Sequence, residues 1–141
     1  MKTTTTILFF IMLVHSGFSQ TNKSILGVWV TPDKDANIEI YESNGTFYGK
    51  TIWHDLQKHQ GVTTDIMNPD ENLKKNPIIG LVVLKGLTFK NNRWENGRCY
   101  DPETGKTYSG YLEIINDRML KLRGYIGIPL FGRSEIWTRK K

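Results

Sequence analysis

With 141 residues, 38% of them hydrophobic and 23% charged, the chain has the material for one domain with its own core, which excludes a disordered chain and leaves no room for a second domain. The formal net charge of +5 is spread thinly, with basic runs only at Lys74-Lys75 and Arg139-Lys140-Lys141. That is a solvated surface, not the basic stripe with interleaved aromatics that a nucleic acid requires.

The chain opens on a leader pattern: Lys2, the apolar run 7–14, then Gly17 and Ser19 as small residues ahead of Gln20. The apolar run is too short to span a bilayer. Residues 1–19 are expected to be a cleaved signal peptide and 20–141 a single exported domain, periplasmic or secreted, with no transmembrane segment in the mature chain. Gln20 stands where a lipoprotein would carry cysteine, so no lipid anchor is expected by that route. The single cysteine, Cys99, precludes an internal disulfide.

Beyond the leader, turn signals recur at short intervals between segments rich in β-branched and aromatic residues. Strands are predicted at 25–31, 36–42, 46–54, 81–89, 93–100, 106–115, 119–126 and 133–139. Ser43-Asn44-Gly45 supplies the positive-φ positions of a tight hairpin, and Asp101-Pro102-Glu103-Thr104-Gly105 reads as a turn led by proline. Short connections make sequential strands antiparallel neighbours. Eight such strands predict an all-β fold, a single eight-stranded antiparallel up-and-down barrel, with an open sheet or sandwich as the alternative that the same strands allow.

The connection after the third strand, residues 55–80, is far longer than a hairpin loop. Within it Asn68 in an N-cap position, Pro69 at the first helical position and Glu71 three residues on predict one short helix ended by Pro77. This helix is expected to lie across one barrel mouth.

The pieces Gly27-Val28-Trp29, Glu39-Ile40-Tyr41, Tyr48-Gly49-Lys50, Asp65-Ile66-Met67-Asn68-Pro69-Asp70, Tyr100-Asp101-Pro102, Arg123-Gly124-Tyr125 and Trp137-Thr138-Arg139 together resemble the bacterial domain of unknown function 2147 family. The resemblance runs through nearly all of the chain after the leader. It implies export, a compact β-rich domain and no assigned biochemical activity. Members are expected to carry Asn-Pro-Asp-Pro where this chain has Glu71 after Asp70. Gly27-Val28-Trp29 also resembles the Gly-x-Trp of lipocalins, whose tryptophan plugs the barrel floor beneath a basic residue of the last strand. Trp29 with Arg133 or Arg139 would repeat that arrangement, and the barrel is therefore expected to be lipocalin-like.

No residue set carries an established catalytic signature. Cys99 reads as a small buried residue rather than a nucleophile. His54, Asp55, His59 and Asp65 match no zinc spacing, and Asp65, Asn68 and Asp70 do not match that of a calcium loop. Gly105-Lys106-Thr107 lacks the upstream glycine of a phosphate loop. Arg123 has two readings: outward, paired with Asp101 or Glu113, or inward, gripping a carboxylate or phosphate.

The expected function is therefore non-enzymatic binding of a small apolar or amphipathic ligand in or at the mouth of the barrel, with residues 55–80 gating it. Trp53, Asp65, Asn68, Asp70, Asp101, Arg123 and Tyr125 are the candidate ligand contacts, and no cofactor or metal is implied. An envelope interaction module that recognises a glycan, lipid headgroup or protein is the alternative. A hydrolase-type enzyme would require Asp65, Asp70, Asp101 and the histidines to converge in one pocket.

Overall fold

The computed structural model describes residues 21–141, and the signal peptide expected over 1–19 lies outside the described residues. All eight expected strands form: β1 (Gly27–Val30), β2 (Ala36–Ser43), β3 (Thr46–His54), β4 (Val82–Lys90), β5 (Arg93–Asp101), β6 (Lys106–Asn116), β7 (Met119–Tyr125) and β8 (Gly132–Arg139). Each pairs antiparallel with its sequence neighbour, and β1 closes on β8 through Trp29↔Arg139 and Val30↔Thr138. The barrel is thus closed, and the open-sheet alternative is set aside.

Turn chemistry fixes the register at one end. Asn44 and Gly45 take φ of 50° and 77°, and Asn91 and Asn92 take 53° and 58°, the left-handed pairs that two-residue hairpins need to match strand twist. Strand alternation then sends Trp29, Ile38, Ile40, Phe47, Trp94 and Leu112 into the barrel.

The expected helix within 68–77 is absent, and a succession of turns takes its place. Asn68 Oδ1 does accept from the Asp70 N–H at 2.9 Å, as an N-cap would. The segment is pinned at both ends, however, because the Asp65 N–H donates to Asn76 O at 2.9 Å and the Ile78 N–H to Thr63 O at 2.9 Å. The chain must reverse between those anchors, which a continuing helix cannot do. Leu73 and Asn76 therefore close separate turns onto Asp70 and Leu73, and Glu71 pairs with Lys74 instead of reaching back to Asn68.

The half of the barrel holding the three tight hairpins and the C-terminus is filled. Trp29, Phe47, Leu87, Trp94, Leu112 and Leu120 are each 1% exposed or less. Trp94 meets Phe47 edge-on at 6.2 Å and Phe89 at 4.8 Å, a geometry that aromatic quadrupoles favour. Its indole N–H, enclosed by this apolar packing, has no hydrogen-bond partner. Glycine makes the close strand packing feasible: a Cβ on Gly97 would sit 2.4 Å from Leu87 Cδ2, and one on Gly110 would sit 2.5 Å from Cys99 Sγ.

Candidate functional site

Four connections gather at the other end: 31–35, 55–81, 102–105 and 126–131. They surround a cavity of about 1240 Å³ that runs down into the barrel. The cavity exists because the inward positions at this level carry Ala36, Thr51, Cys99 and Gly124, where the filled half carries tryptophan, phenylalanine and leucine. Ile38, Leu84, Tyr108, Leu122 and Trp137 form its apolar wall, and Asp35, His54, His59, Glu103, Arg133 and Glu135 form a polar rim. An apolar interior with a few polar groups at its edge is the usual make-up of a small-molecule site.

Two contacts hold the long β3–β4 connection over this mouth. The first is Asp65, fully buried, whose Oδ1 accepts from the Tyr100 hydroxyl at 2.6 Å and whose Oδ2 accepts from Asn68 Nδ2 at 2.8 Å. The adjacent Met67 carbonyl presses on Gly105, at φ 71°, where any Cβ would fall 2.0 Å from the Met67 oxygen. Only glycine fits there. Burial, and then the bond to Asp65, push the Tyr100 hydroxyl well above the ordinary tyrosine range, so it remains a donor.

The second contact is His59, with Nε2 3.2 Å from Asp35 Oδ2 and Nδ1 3.0 Å from Glu103 Oε1. The ring bridges the 31–35 and 102–105 connections, and Lys58 Nζ adds a 2.6 Å bond to Asp33 O. Atoms of Asp35, His59 and Glu103 lie within 4.8 Å of one another, which among the described residues is the set with metal-ligand spacing. Both ring nitrogens face carboxylate oxygens, so the side chain ties the two connections together as a strap across the mouth.

His54 stacks near His59, ring centroids 5.5 Å apart. Its pKa is lowered by burial first and by His59 second, against Asp35 and Asp55. Because the folded value lies below the unfolded 6.5, the unfolded chain takes up the proton first as pH falls, and stability drops across that window. His54→Gln is expected to shrink the loss of stability between about pH 7.5 and pH 5 and to change nothing above that window, as read by urea unfolding at each pH.

Arg123 aside, the candidate contacts from the sequence divide into three groups. Tyr125 and Asp101 border the cavity. Asp65, Asn68 and Asp70 lie in the turns that shape the long connection, where Asp70 Oδ1 accepts from the Asn72 N–H at 2.9 Å. Trp53 is 43% exposed and is not among the cavity-lining residues.

Arg123 takes the outward orientation but pairs with neither Asp101 nor Glu113. Its Nη2 and Nε donate to Pro129 O at 2.8 and 3.1 Å, and its Nη1 to Ser134 Oγ at 3.2 Å, while Glu113 pairs with Lys121 and Arg93. The arginine at the cavity is Arg133, cross-strand from Gly124. Strand parity could have found it, because Arg133, Glu135 and Trp137 share one face of β8 and Trp137 is a core residue.

Cys99 lies in the cavity wall, and burial pushes its thiol up to about 12, so it has none of the thiolate character of a nucleophile. The carboxylates are occupied locally. Asp101 accepts from the Glu103 N–H at 2.9 Å and the Thr104 hydroxyl at 2.7 Å, and Asp55 accepts from the Gln57 and Lys58 N–H groups.

At the floor, Arg139 lies over the Trp29 ring at 4.2 Å, and Trp29 Nε1 donates to Ile25 O at 2.9 Å. A closed eight-stranded meander, hollow at one end and plugged at the other by a tryptophan under an arginine, is a lipocalin-like barrel. The comparison with solved structures agrees: the chain is similar to a Helicobacter pylori protein, HP1028, described as belonging to the lipocalin family, with a TM-score of 0.71 at 22% identity over 82% of each chain. No curated protein shows a significant match. The chain belongs to the family described as "Uncharacterized protein conserved in bacteria (DUF2147)", whose model matches residues 27–139.

Proposed function

We propose that this protein is an exported, non-enzymatic carrier that holds a small apolar or amphipathic molecule in its barrel cavity, acting in the periplasm or after secretion. The observation that carries the reading is the cavity itself, about 1240 Å³ with an apolar wall and a polar rim, in a fold of the lipocalin kind. Burial of ligand surface against Ile38, Leu84, Leu122 and Trp137 supplies the affinity at about 25 cal/mol per Å² removed from water. Arg133 at the rim fixes an acidic or polar head. The structural use of Asp55, Asp65, Asp70 and Asp101 supports a binding role over a hydrolytic one.

Gly124 offers a clean test. It lines the cavity, its φ lies outside the left-handed region, and a Cβ there would meet nothing nearer than Tyr108 Cβ at 3.9 Å. Gly124→Phe is expected to fill the cavity without straining the barrel and to weaken uptake of an apolar fluorophore such as 1-N-phenylnaphthylamine by about tenfold or more. Native mass spectrometry of protein purified from its own envelope should show a small-molecule adduct on the wild type and none on the variant. Equal uptake by the two proteins would sink the cavity as the binding site.

A further inference from the structure

The rim of the mouth is the least protein-like surface of the molecule. On the 126–131 connection Ile126 is 70% exposed, Ile128 52%, Leu130 75% and Phe131 73%, and across the mouth Ile66 and Met67 are 49% and 50% exposed. Ile126, Phe131, Ile66 and Met67 also line the cavity. An apolar surface is therefore continuous from the outside of the rim to the interior of the barrel. Scattered apolar residues on a surface are ordinary, but a run of four at one tip marks an interaction site.

Part of the tip backbone is satisfied without water. Arg123 donates to the carbonyls of Pro129 and Leu130, and the Phe131 N–H donates to Ile128 O at 3.1 Å. Three consecutive carbonyls at the tip are thus satisfied from within the protein, and Pro129 has no N–H to satisfy. Hydrocarbon imposes that requirement on any backbone it receives, whereas a solvated loop has no need of it. Two residues past the tip stands Arg133, its side chain 87% exposed and 3.7 Å from Glu135 Oε1 in a loose, solvent-screened pair, on a chain of net charge +5, where it would exchange that partner for anionic headgroups. A second copy of the chain fits less well, because a protruding tip cannot supply the roughly 800 Å² per partner of a stable interface.

We propose that the apolar rim, led by the 126–131 tip, docks on the surface of a lipid bilayer, and that the cavity exchanges its ligand, a membrane lipid or lipid-like amphiphile, directly with that surface. This rests on the carrier reading above and names the source of the ligand.

The test uses the chain from residue 20 on, which contains every strand of the closed barrel, so that the apolar leader cannot itself bind membrane. Wild type and the double variant Ile128→Asp/Leu130→Asp, whose two positions lie on the tip and outside the cavity lining, are floated with vesicles of phosphatidylethanolamine and phosphatidylglycerol. Both substituted side chains are exposed, so the fold is retained, and circular dichroism checks it. The expected result is that wild type floats with the vesicles and the variant partitions at least about tenfold less, while both take up 1-N-phenylnaphthylamine equally in free solution.

Equal flotation of the two proteins, or flotation of neither, overturns the docking proposal. So does a wild-type dimer in sedimentation that the variant dissolves without any vesicle binding, which would make the tip an interface between copies. Tip-dependent flotation without fluorophore uptake by either protein would uphold docking on the bilayer and overturn the exchange of ligand, together with the carrier reading.

Discussion

Trp29→Ala is expected to lower the unfolding free energy by about 3–5 kcal/mol. The indole is fully buried, so truncation removes its apolar burial and leaves a cavity in the filled half. The substitution also abandons the bond to Ile25 O and the ring on which Arg139 rests. Arg139 is the hub of the floor: its guanidinium donates to Ser24 O at 2.7 Å, Leu26 O at 2.9 Å and Asp117 O at 2.9 Å, joining the N-terminal segment to the β6–β7 turn. Losing the ring takes away the surface on which the donor of those three bonds rests.

Equilibrium urea unfolding followed by circular dichroism measures the effect. Arg139→Gln should cost less than Trp29→Ala, because burial of the ring remains and the loss is confined to the cation–π contact, about 0.5–2 kcal/mol, and to the bonds to Ser24, Leu26 and Asp117, whose carbonyls water can reach. If the two variants are equally destabilised, the floor is held by the charge and its bonds, and burial of the indole is a minor part.

Tyr100→Phe is expected to cost about 1.5–3 kcal/mol, the range for a hydrogen bond to a charged group, and to loosen the mouth. Asp65 has no solvent to fall back on, and without the phenol its Oδ1 loses that partner. The functional consequence lies in the long connection, which the Asp65–Tyr100 bond pins to β5 beside the cavity. Hydrogen exchange should rise across 63–78 while the strands stay protected, and a bound fluorophore should leave faster.

A cycle with Asp65→Asn isolates the pair, and a coupling energy within about 0.5–3 kcal/mol is expected for groups in direct contact. The same bond predicts an alkaline limb. The Tyr100 hydroxyl is raised above its unfolded value of about 10, so above that pH the unfolded chain releases a proton that the folded chain keeps, and stability falls as pH rises. Tyr100→Phe should remove that part of the fall. An unchanged alkaline limb would mean that other groups titrate there.

The acids named for a hydrolytic reading are engaged in structural hydrogen bonds. Asp65 is sealed under the long connection, Asp70 shapes a turn within it, and Asp101 caps the β5–β6 turn. The histidines meet at the mouth, but His59 is engaged by two carboxylates and His54 is driven toward its neutral form.

What the sequence determined by itself is whatever depends on near neighbours in the chain. Alternation at period two set the eight strands, Asn44-Gly45 and Asn91-Asn92 set hairpins through their own backbone preferences, and Gly27-Val28-Trp29 marked the plugged floor. The same parity rule carried the core, since Trp29, Trp94 and Trp137 each fall on an inward position.

The tertiary structure decided what depends on groups far apart. The 68–77 segment has local helix signals, yet it is held in turns by bonds to 63–65 and by Asp65, whose partner Tyr100 lies 35 residues away. The arginine at the cavity is Arg133 and not Arg123, because the path of the 126–131 corner sets which guanidinium is consumed by its carbonyls. Whether the barrel is hollow is a sum over side-chain volumes at one level of eight strands, with small residues at one end and large ones at the other. No single segment carries that sum, and only closure of β1 on β8 brings its members to a common axis.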